Sequence, residues 1–252
     1  MEQARLSAKQ FGDAAQKYLD SPVHAKGRDL ERLGVLASSS GYKNALDLGC
    51  GAGHAAYALA AAGLPVTACD LSESMLEMVD HESHRRGLEI ETVRSAAESL
   101  PFEDARFCLV VTRYSAHHWF DVAKALSEAC RVTKKGGRII VIDSISPEFP
   151  LYDTAIQTVE LLRDASHVRN YRVSEWKKML ENSGFDQVES DSWKVRIEFQ
   201  SWTDRLETPA VRIDALKAMF KAIPEEARAY FGVAEDFSFD LDTAWIGAKK
   251  NE

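Results

Sequence analysis

A glycine-rich turn after a short apolar run constrains this chain more than any other feature of its sequence. Residues 45–48 are apolar except for Asp47, and the turn that follows has glycine at positions 49, 51 and 53 before an alanine-rich stretch that begins at His54. Glycine has no Cβ atom, so it adopts positive φ angles and lets a ligand approach the backbone closely. The helix that follows presents backbone N–H groups without intrahelical partners at the same place. The sequence therefore predicts a strand, a turn and a helix that together bind a nucleotide.

The spacing of these glycines disfavours a dinucleotide. The dinucleotide-binding pattern has its third glycine at the position that His54 occupies here. A second apolar run, residues 65–69, ends in Asp70. A carboxylate at the end of this strand can accept hydrogen bonds from both hydroxyls of an unphosphorylated ribose. The pattern therefore predicts an adenosine ligand without a required phosphate.

A series of motifs resembles those of the class I S-adenosylmethionine-dependent methyltransferases. The glycine turn matches their first motif, and residues 70–76 match their second. Residues 97–111 are similar to the segment around their fourth strand, and residues 134–141 to the turn before their fifth. The chain is most similar to the methyltransferase type 11 group, in the branch that includes the ubiquinone and menaquinone biosynthesis C-methyltransferases. The resemblance implies S-adenosyl-L-methionine as the cofactor and methyl transfer to a small-molecule acceptor.

Strand and helix patterns alternate through the middle of the chain. Such alternation predicts an α/β fold, a Rossmann-like and mostly parallel sheet with helices on both faces, and the resemblance implies seven strands with an antiparallel closing pair. We predict a single domain over residues 1–252. It comprises an N-terminal helical lid over 1–40, a cofactor-binding core over 41–145, and a C-terminal helical cap insertion with closing strands over 146–252. Strands are expected near 44–48, 65–70, 89–94, 107–113, 138–143, 188–199 and 243–248.

Composition argues against several classes of partner. The formal net charge is −8, from 31 basic and 39 acidic residues. The basic residues form scattered pairs, whereas a protein that binds a phosphate backbone has a continuous basic surface. The four cysteines lack metal-ligand spacing, and no stretch of 18 uncharged apolar residues occurs. We therefore expect a cytoplasmic enzyme that binds no nucleic acid, membrane or metal; the sequence leaves the oligomeric state open.

The resemblance also assigns residues to the cofactor. The run Ser95-Ala96-Ala97-Glu98 replaces the pattern Gly-Asp-Ala-Glu that is common in the family, so the aspartate expected to bind the adenine amino group is missing. Glu98 is one candidate for that contact, and a surface carboxylate is the alternative. The residues implied in cofactor binding are Asp47, Gly49, Cys50, Gly51, Gly53, Asp70, Leu71, Met75, Ala97, Glu98 and Arg113.

Residues 112–119 follow the fourth strand, where the acceptor and the cofactor should meet. Arg113 is predicted either to pair with the methionine carboxylate or to form a salt bridge with a helix. His118 or His117 is a candidate general base, because an imidazole titrates near neutral pH. Adjacent side chains point in different directions, so we expect at most one of the two histidines to face the pocket. A structural histidine is the alternative for either.

A polar segment, residues 161–171, lies between two predicted cap helices. Its side chains could hold a carboxylate or phenolate acceptor through charge-assisted hydrogen bonds, or they form local ion pairs at an exposed helix end. The aromatic residues of the lid either cover the pocket or pack on the core. The predicted acceptor pocket comprises Phe11, Tyr18, Tyr114, His118, Arg163, His167, Arg169 and Tyr171.

Two other functions fit the same motifs. The fold could use the sulfonium cofactor for chemistry other than methyl transfer, in which case the cofactor leaves intact. It could also be a non-catalytic module that only binds the cofactor. Release of S-adenosylhomocysteine distinguishes methyl transfer from both of these alternatives.

Overall fold

A seven-stranded sheet forms the centre of the molecule in the computed structural model, which describes residues 2–13, 15–21 and 25–251. The strand order is β3-β2-β1-β4-β5-β7-β6, and only β7 runs antiparallel to its neighbours. The predicted mostly parallel sheet with an antiparallel closing pair is therefore confirmed. The strands are β1 (Ala45–Leu48), β2 (Val66–Asp70), β3 (Ile90–Arg94), β4 (Phe107–Arg113), β5 (Thr133–Ser144), β6 (Phe185–Ile197) and β7 (Phe239–Lys250).

Helices cover both faces of this sheet. Because β1 and β4 are buried on both sides, their sequences are apolar at nearly every position. The described helices are α1 (Glu2–Asp13), α2 (Ala15–Leu19), α3 (Arg28–Ser39), α4 (His54–Ala61), α5 (Glu73–Arg86), α6 (Val122–Val132), α7 (Pro150–Arg163), α8 (Val173–Asn182), α9 (Phe199–Arg205), α10 (Ala210–Ala222) and α11 (Glu225–Tyr230). A single 3₁₀ turn, Ala116–His118, follows β4. None of these helices combines the length and the apolar character that crossing a membrane requires.

Two apolar layers sandwich the sheet. On one face, Leu46 and Val110 of the strands pack with Leu126 of α6 and Trp176 of α8. On the other, Ala45 and Leu109 pack with side chains of α3, α4 and α5. The strand order reverses between β1 and β4, and in open α/β sheets ligands bind beyond the carboxyl ends of the strands at such a point. The fold therefore places the glycine turn after β1 where a ligand is expected.

The lid consists of α1 and α2. The sequence predicts one helix over residues 3–18, and the structure describes helix on both sides of residue 14, which lies outside the described part. A second helix was predicted from His24 to Ala37; α3 begins only at Arg28, and residues 22–24 are outside the description. Gly12 of α1 lies close to Ser74 of α5, so the lid rests on the core beside the second motif.

The cap forms a third apolar cluster from two separate parts of the chain. The helix α7 follows β5, and helices α9, α10 and α11 are inserted between β6 and β7. Ile156, Trp202, Leu216 and Phe220 from these helices pack around Phe239 of β7. The helix α8 lies between the two parts in sequence, but it packs on the sheet instead. The cap therefore comprises α7 and α9–α11.

Candidate active site

A cleft of about 1070 Å³ lies between the carboxyl ends of the strands and the lid. Most residues predicted for the cofactor line it, together with four predicted for the acceptor. Sequence reasoning missed other lining residues, including Gln3, Ser7, Ser115 and Trp119. The predicted residues that line the cleft are Gly49, Cys50, Gly51, Asp70, Leu71, Met75, Ala97, Glu98, Arg113, Phe11, Tyr18, Tyr114 and His118.

The three glycines of the turn have different roles, although all have positive φ. Gly51 lines the cleft, and a Cβ built on it would meet no atom within 4 Å, so its backbone is open to a ligand. A Cβ on Gly49 would lie 2.0 Å from Ser115 Oγ. Gly53 does not line the cleft; its Cβ would lie 2.8 Å from atoms of Tyr57 and Val79. The predicted cofactor contact of Gly53 is therefore corrected to a packing role at the start of α4.

Asp70 connects the second strand to the glycine turn. Its Oδ2 accepts a hydrogen bond from Gly51 N at 2.9 Å, and its Oδ1 accepts one from Ser72 N at 2.9 Å. Burial raises the pKa of this carboxyl group, and the backbone donors oppose that effect. Asp70 thus holds the turn in place and also lines the cleft, as the ribose assignment requires.

Asp47 lies behind the turn and is only 1% exposed. Its Oδ2 accepts a hydrogen bond from Ala56 N at 2.9 Å, whereas Oδ1 is buried and has no partner within the described part of the chain. Burial raises the pKa of Asp47 to about 7. A buried oxygen without a partner destabilises a fold unless a ligand or water satisfies it. The residue therefore suits the neighbourhood of a cationic amine, as the resemblance implied, although it does not line the cleft itself.

Arg113 at the end of β4 shows the second of its two predicted alternatives. Its Nε donates to Oδ2 of Asp29 in α3 at 2.5 Å, and both side chains are buried. This helix-facing salt bridge fixes the guanidinium, which also lines the cleft. Asp29 was not predicted, because it lies far from the motifs in sequence.

Glu98 also has a partner that the sequence did not indicate. Its Oε1 accepts hydrogen bonds from Phe120 N at 3.1 Å and from Asp121 N at 3.3 Å. The side chain therefore secures the segment that leads into α6 while it lines the cleft.

The two histidines of the 3₁₀ turn have different neighbours, but both line the second cavity described below, so the expectation that at most one would face the pocket is not met. His117 Nδ1 lies 2.6 Å from Asp143 Oδ1. Burial disfavours the charged form of His117, but the Asp143 carboxylate prevails and raises its pKa. His118 Nδ1 lies 3.2 Å from the Ser166 carbonyl oxygen. Burial and the adjacent His117 lower the pKa of His118. At neutral pH the structure therefore holds a neutral His118 beside a paired His117.

A second cavity of about 570 Å³ lies between the lid, the sheet and the cap. It shares Phe11, Tyr18, Tyr114 and His118 with the cleft. Tyr114 has a φ of 49°, a left-handed conformation that non-glycine residues rarely adopt and that is found preferentially at functional sites. The other walls of the second cavity are His117, Ser144, Glu160, Arg163, Val195, Ile197, Trp202, Arg205, Leu241 and Thr243.

Three residues predicted for the acceptor pocket line neither cavity. His167 Nε2 lies 3.1 Å from Gln157 Oε1. Arg169 forms ion pairs with Asp153 and Glu175. Tyr171 packs edge to face against Trp176. The prediction for these three is therefore corrected, because amide, acidic and aromatic side chains of α7 and α8 hold them outside both cavities. Only Arg163 of the polar segment reaches the second cavity.

Glu160, Trp202 and Arg205 line the second cavity but were not predicted. One signal was available for Glu160, since residues three apart share a helical face and Arg163 is a predicted pocket residue. Trp202 and Arg205 belong to α9, a short helix whose position depends on tertiary packing. No local sequence pattern identifies them as cavity residues.

Comparisons with known proteins agree with this geometry. A family model described as a methyltransferase domain matches residues 46–141. The uncharacterized protein YafE of Escherichia coli (strain K12) is 43% identical over 188 residues, which cover 73% of this chain and 90% of that protein. The uncharacterized methyltransferase YcgJ of Bacillus subtilis (strain 168) is 34% identical over 222 residues, 88% of each chain. The crystal structure of YcgJ has a TM-score of 0.82 and covers 88% of this chain and 99% of that chain.

A shorter match supports the branch that the motifs indicated. The demethylmenaquinone methyltransferase of Clavibacter sepedonicus is 38% identical over 122 residues, 45% of this chain and 48% of that protein. The longer matches, the strand order and the cleft lead to the same result. The chain belongs to the methyltransferase family and is an S-adenosylmethionine-dependent methyltransferase.

Proposed function

We propose that this enzyme transfers a methyl group from S-adenosyl-L-methionine in the cleft to a small organic acceptor in the second cavity. The observation that carries the proposal is the wall shared by the two cavities, formed by Phe11, Tyr18, Tyr114 and His118. Methyl transfer is an in-line displacement, so the attacking atom must lie about 3–3.5 Å from the methyl carbon. An acceptor site must therefore adjoin the cofactor site, as the second cavity does.

The residues of the cleft fit the cofactor. Gly51 offers an open backbone for its amino-acid part. Asp47 lies behind the turn and does not line the cleft, and its unpaired Oδ1 suits a water bound to the charged amine. Asp70 at the end of β2 suits the ribose hydroxyls, and Leu71 and Met75 provide an apolar surface for the base. When bound, this cofactor supplies an activated methyl group, so the chain has to position the acceptor and, where the acceptor is protonated, remove a proton.

We propose that His118 accepts such a proton. The Ser166 carbonyl oxygen near Nδ1 is an acceptor, so it favours the tautomer with the proton on Nδ1 and leaves Nε2 able to receive one. Oδ2 of Asp164 lies 3.9 Å from Nε2 and would stabilise the resulting imidazolium. Phe11 packs on the ring with a centroid distance of 4.6 Å, which keeps the imidazole in this orientation.

The proposal can be tested with a methyl-labelled cofactor. The purified enzyme is incubated with labelled S-adenosyl-L-methionine and a metabolite extract, and both S-adenosylhomocysteine and labelled products are measured by mass spectrometry. We expect one product to gain the label. His118→Gln should then lower kcat for that acceptor by about 10²–10⁴-fold if it requires a base.

A matched control is His84→Gln, which changes an exposed histidine of α5 whose side chain is 77% accessible. It should retain full activity. An enzyme that binds the cofactor but converts an acceptor while the cofactor stays intact would contradict methyl transfer. An enzyme that converts nothing in broad extracts would contradict it as well.

A further inference from the structure

His117 and Asp143 form a buried pair beside the second cavity that the proposed methyl transfer does not use. His117 belongs to the 3₁₀ turn after β4, and Asp143 lies near the end of the neighbouring strand β5. His117 Nδ1 lies 2.6 Å from Asp143 Oδ1, and the two side chains are 14% and 2% exposed. His117 lines the second cavity. The pair therefore holds an imidazole firmly at the wall of the proposed acceptor site.

Asp143 fixes the orientation of this imidazole. Besides the contact with Nδ1, its Oδ2 accepts a hydrogen bond from His117 N at 3.2 Å, and its Oδ1 accepts one from Ser144 N at 2.8 Å. A carboxylate acts only as an acceptor, so Nδ1 of His117 is the donor of the shared hydrogen bond. In a neutral imidazole with its proton on Nδ1, the lone pair lies on Nε2. Asp143 thus determines which ring nitrogen of His117 a ligand can use.

The second ring nitrogen of His117 is open to the cavity. Nε2 forms no hydrogen bond or ion pair with any residue that the structure describes, and unlike Nδ1 of His167 it is not a buried atom. The His117 ring lines the second cavity but not the cleft, and Asp143 lines neither. Asp143 therefore lies behind the ring. The accessible part of the ring, which includes Nε2, belongs to the second cavity.

His117 is placed to meet a different part of the acceptor from the atom that is methylated. His118 belongs to the wall that the two cavities share, whereas His117 belongs to the second cavity alone. The two rings are adjacent, with their centroids 4.1 Å apart. Since methyl transfer is proposed to occur at the shared wall, a contact with His117 would orient the acceptor and select it, without taking part in the displacement.

A hydroxyl group fits Nε2 in either protonation state of His117. Burial lowers the pKa of His117, but the Asp143 carboxylate raises it. Glu160 and Asp164 raise it further, so that the pKa lies above its usual value. Neutral His117 accepts a hydrogen bond at Nε2, and charged His117 donates one there. A hydroxyl can donate and accept, whereas an ether or carbonyl oxygen can only accept and would need the charged ring.

The rest of the cavity suits a largely apolar molecule. Apolar side chains of the sheet and the cap form much of its wall: Val195, Ile197, Trp202 and Leu241. Charged side chains of α7 and α9 complete the wall, and none of them forms an ion pair with His117 in the described structure. Apolar pockets with a few polar groups that fix the orientation of the ligand are typical of small-molecule sites.

We propose that the acceptor carries a hydroxyl group that binds Nε2 of His117, and that Asp143 is the positioning residue of this contact. The hydroxyl lies away from the methylated atom, which faces His118 and the cleft. The acceptor is then a small and largely apolar alcohol or phenol. This inference rests on the proposed function, because it takes the second cavity as the acceptor site.

Phenol and toluene test this contact directly, because they differ only in a hydroxyl group in place of a methyl group. The full chain, labelled with ¹⁵N in its histidines and saturated with S-adenosylhomocysteine, is titrated with each compound and followed by NMR, so that no turnover is needed. We expect phenol to shift the Nε2 signal of His117 in a saturable manner and toluene to leave it in place. His117→Leu should weaken phenol binding, measured by calorimetry, by about 3–10-fold, since one hydrogen bond is lost, and leave toluene binding nearly unchanged.

Asp143→Asn tests the positioning role. The amide has nearly the same shape as the carboxylate, but it can donate as well as accept, so it no longer holds His117 in one tautomer. Above the pKa of His117, the ¹⁵N spectrum of the wild type should show the ring proton on Nδ1, and the variant should show a population with the proton on Nε2. A purely structural contact would leave the tautomer unchanged.

His81→Leu is the control, because His81 is an exposed histidine of α5 that lines neither cavity. Thermal unfolding verifies that each variant is folded, and the titration of the wild type decides the question if His117→Leu does not fold. A phenol titration that leaves the Nε2 signal of His117 in place would overturn the inference, as would phenol affinity that survives in folded His117→Leu. These outcomes are separate from the proposed function, which is judged by labelled product and not by phenol binding.

Discussion

At the scale of single residues, Asp47 couples the stability of the fold to pH. Its carboxyl group is buried under α4, and its pKa is raised from 3.8 to about 7. A carboxyl group with a raised pKa contributes most to the free energy of unfolding below pH 4. That contribution is lost as the pH rises to about 7. A pKa difference of one between the folded and unfolded states corresponds to about 1.4 kcal/mol. The effect on the free energy of unfolding is therefore at most about 4 kcal/mol.

We predict that Asp47→Asn weakens this pH dependence. The amide cannot ionise, and its oxygen can still accept the hydrogen bond from Ala56 N. The measurement is urea unfolding of both proteins, without cofactor, at pH 5 and pH 8. The variant should gain stability relative to the wild type as the pH increases. A stability difference that stays constant between the two pH values would show that Asp47 does not titrate in this range.

Substitution of Asp70 tests the prediction that this residue binds the ribose of the cofactor. Asp70→Ala should weaken S-adenosylhomocysteine binding by about 10–100-fold, because a charge-assisted contact to the ribose is worth roughly 1.5–3 kcal/mol. The substitution also removes the acceptor for Gly51 N, which loosens the turn. Calorimetry gives the affinity, with Asp80→Ala on α5 as an exposed control. Unchanged affinity in a folded Asp70→Ala protein would refute the ribose assignment.

The sequence predicted the cofactor half of the site better than the acceptor half, for a physical reason. Gly51 and Asp70 act through local requirements, a positive φ and a position at a strand end, which neighbouring residues reveal. Glu160 and Arg205 face the same cavity only because two separate insertions pack together. The charge of Arg169 predicts a contact with an anionic acceptor, but Asp153 pairs with that charge instead. The choice between such partners depends on tertiary structure and cannot be derived from one sequence.

At the scale of elements, two glycines of the turn between β1 and α4 have different roles, one in ligand binding and the other in the stability of the fold. Gly51 has a φ of 49° with open space in front of it, and Gly53 has a φ of 83° with Tyr57 and Val79 close by. An alanine at either site costs about 1–2 kcal/mol for the left-handed backbone. Only at position 53 does the new methyl group also collide with packed side chains.

We therefore predict opposite signatures for two matched variants. Gly51→Ala should lose most of its cofactor affinity and little stability, because its methyl group occupies ligand space. Gly53→Ala should lose at least about 2–3 kcal/mol of unfolding free energy, from the backbone cost and overpacking together. Chemical denaturation and calorimetry on both proteins provide the comparison. If Gly51→Ala bound the cofactor like the wild type, the turn would not hold the ligand.

At the scale of the whole molecule, core and cap are joined through the sheet. Strands β6 and β7 pair along most of their length, β7 pairs with β5 of the core, and the cap helices α9–α11 are inserted between β6 and β7. The cap therefore lacks a boundary at which it could unfold while the sheet remains intact. The lid also connects to both parts, through Gln3 Nε2 to the Ser166 carbonyl oxygen and through the backbone of Tyr18 to His54.

This connectivity predicts one cooperative thermal transition, whose Tm rises when a ligand fills the cleft. Ligand at about 100 times its Kd stabilises the native state by about 2.7 kcal/mol. For a chain of this size, that corresponds to a rise in Tm of about 5–10 °C. Calorimetric scans over a series of S-adenosylhomocysteine concentrations measure the shift, and Asp70→Ala should shift less at the same concentration. Two separate transitions, only one of which responds to the ligand, would mean that the cap folds independently, and the acceptor cavity would then not be organised by the cofactor site.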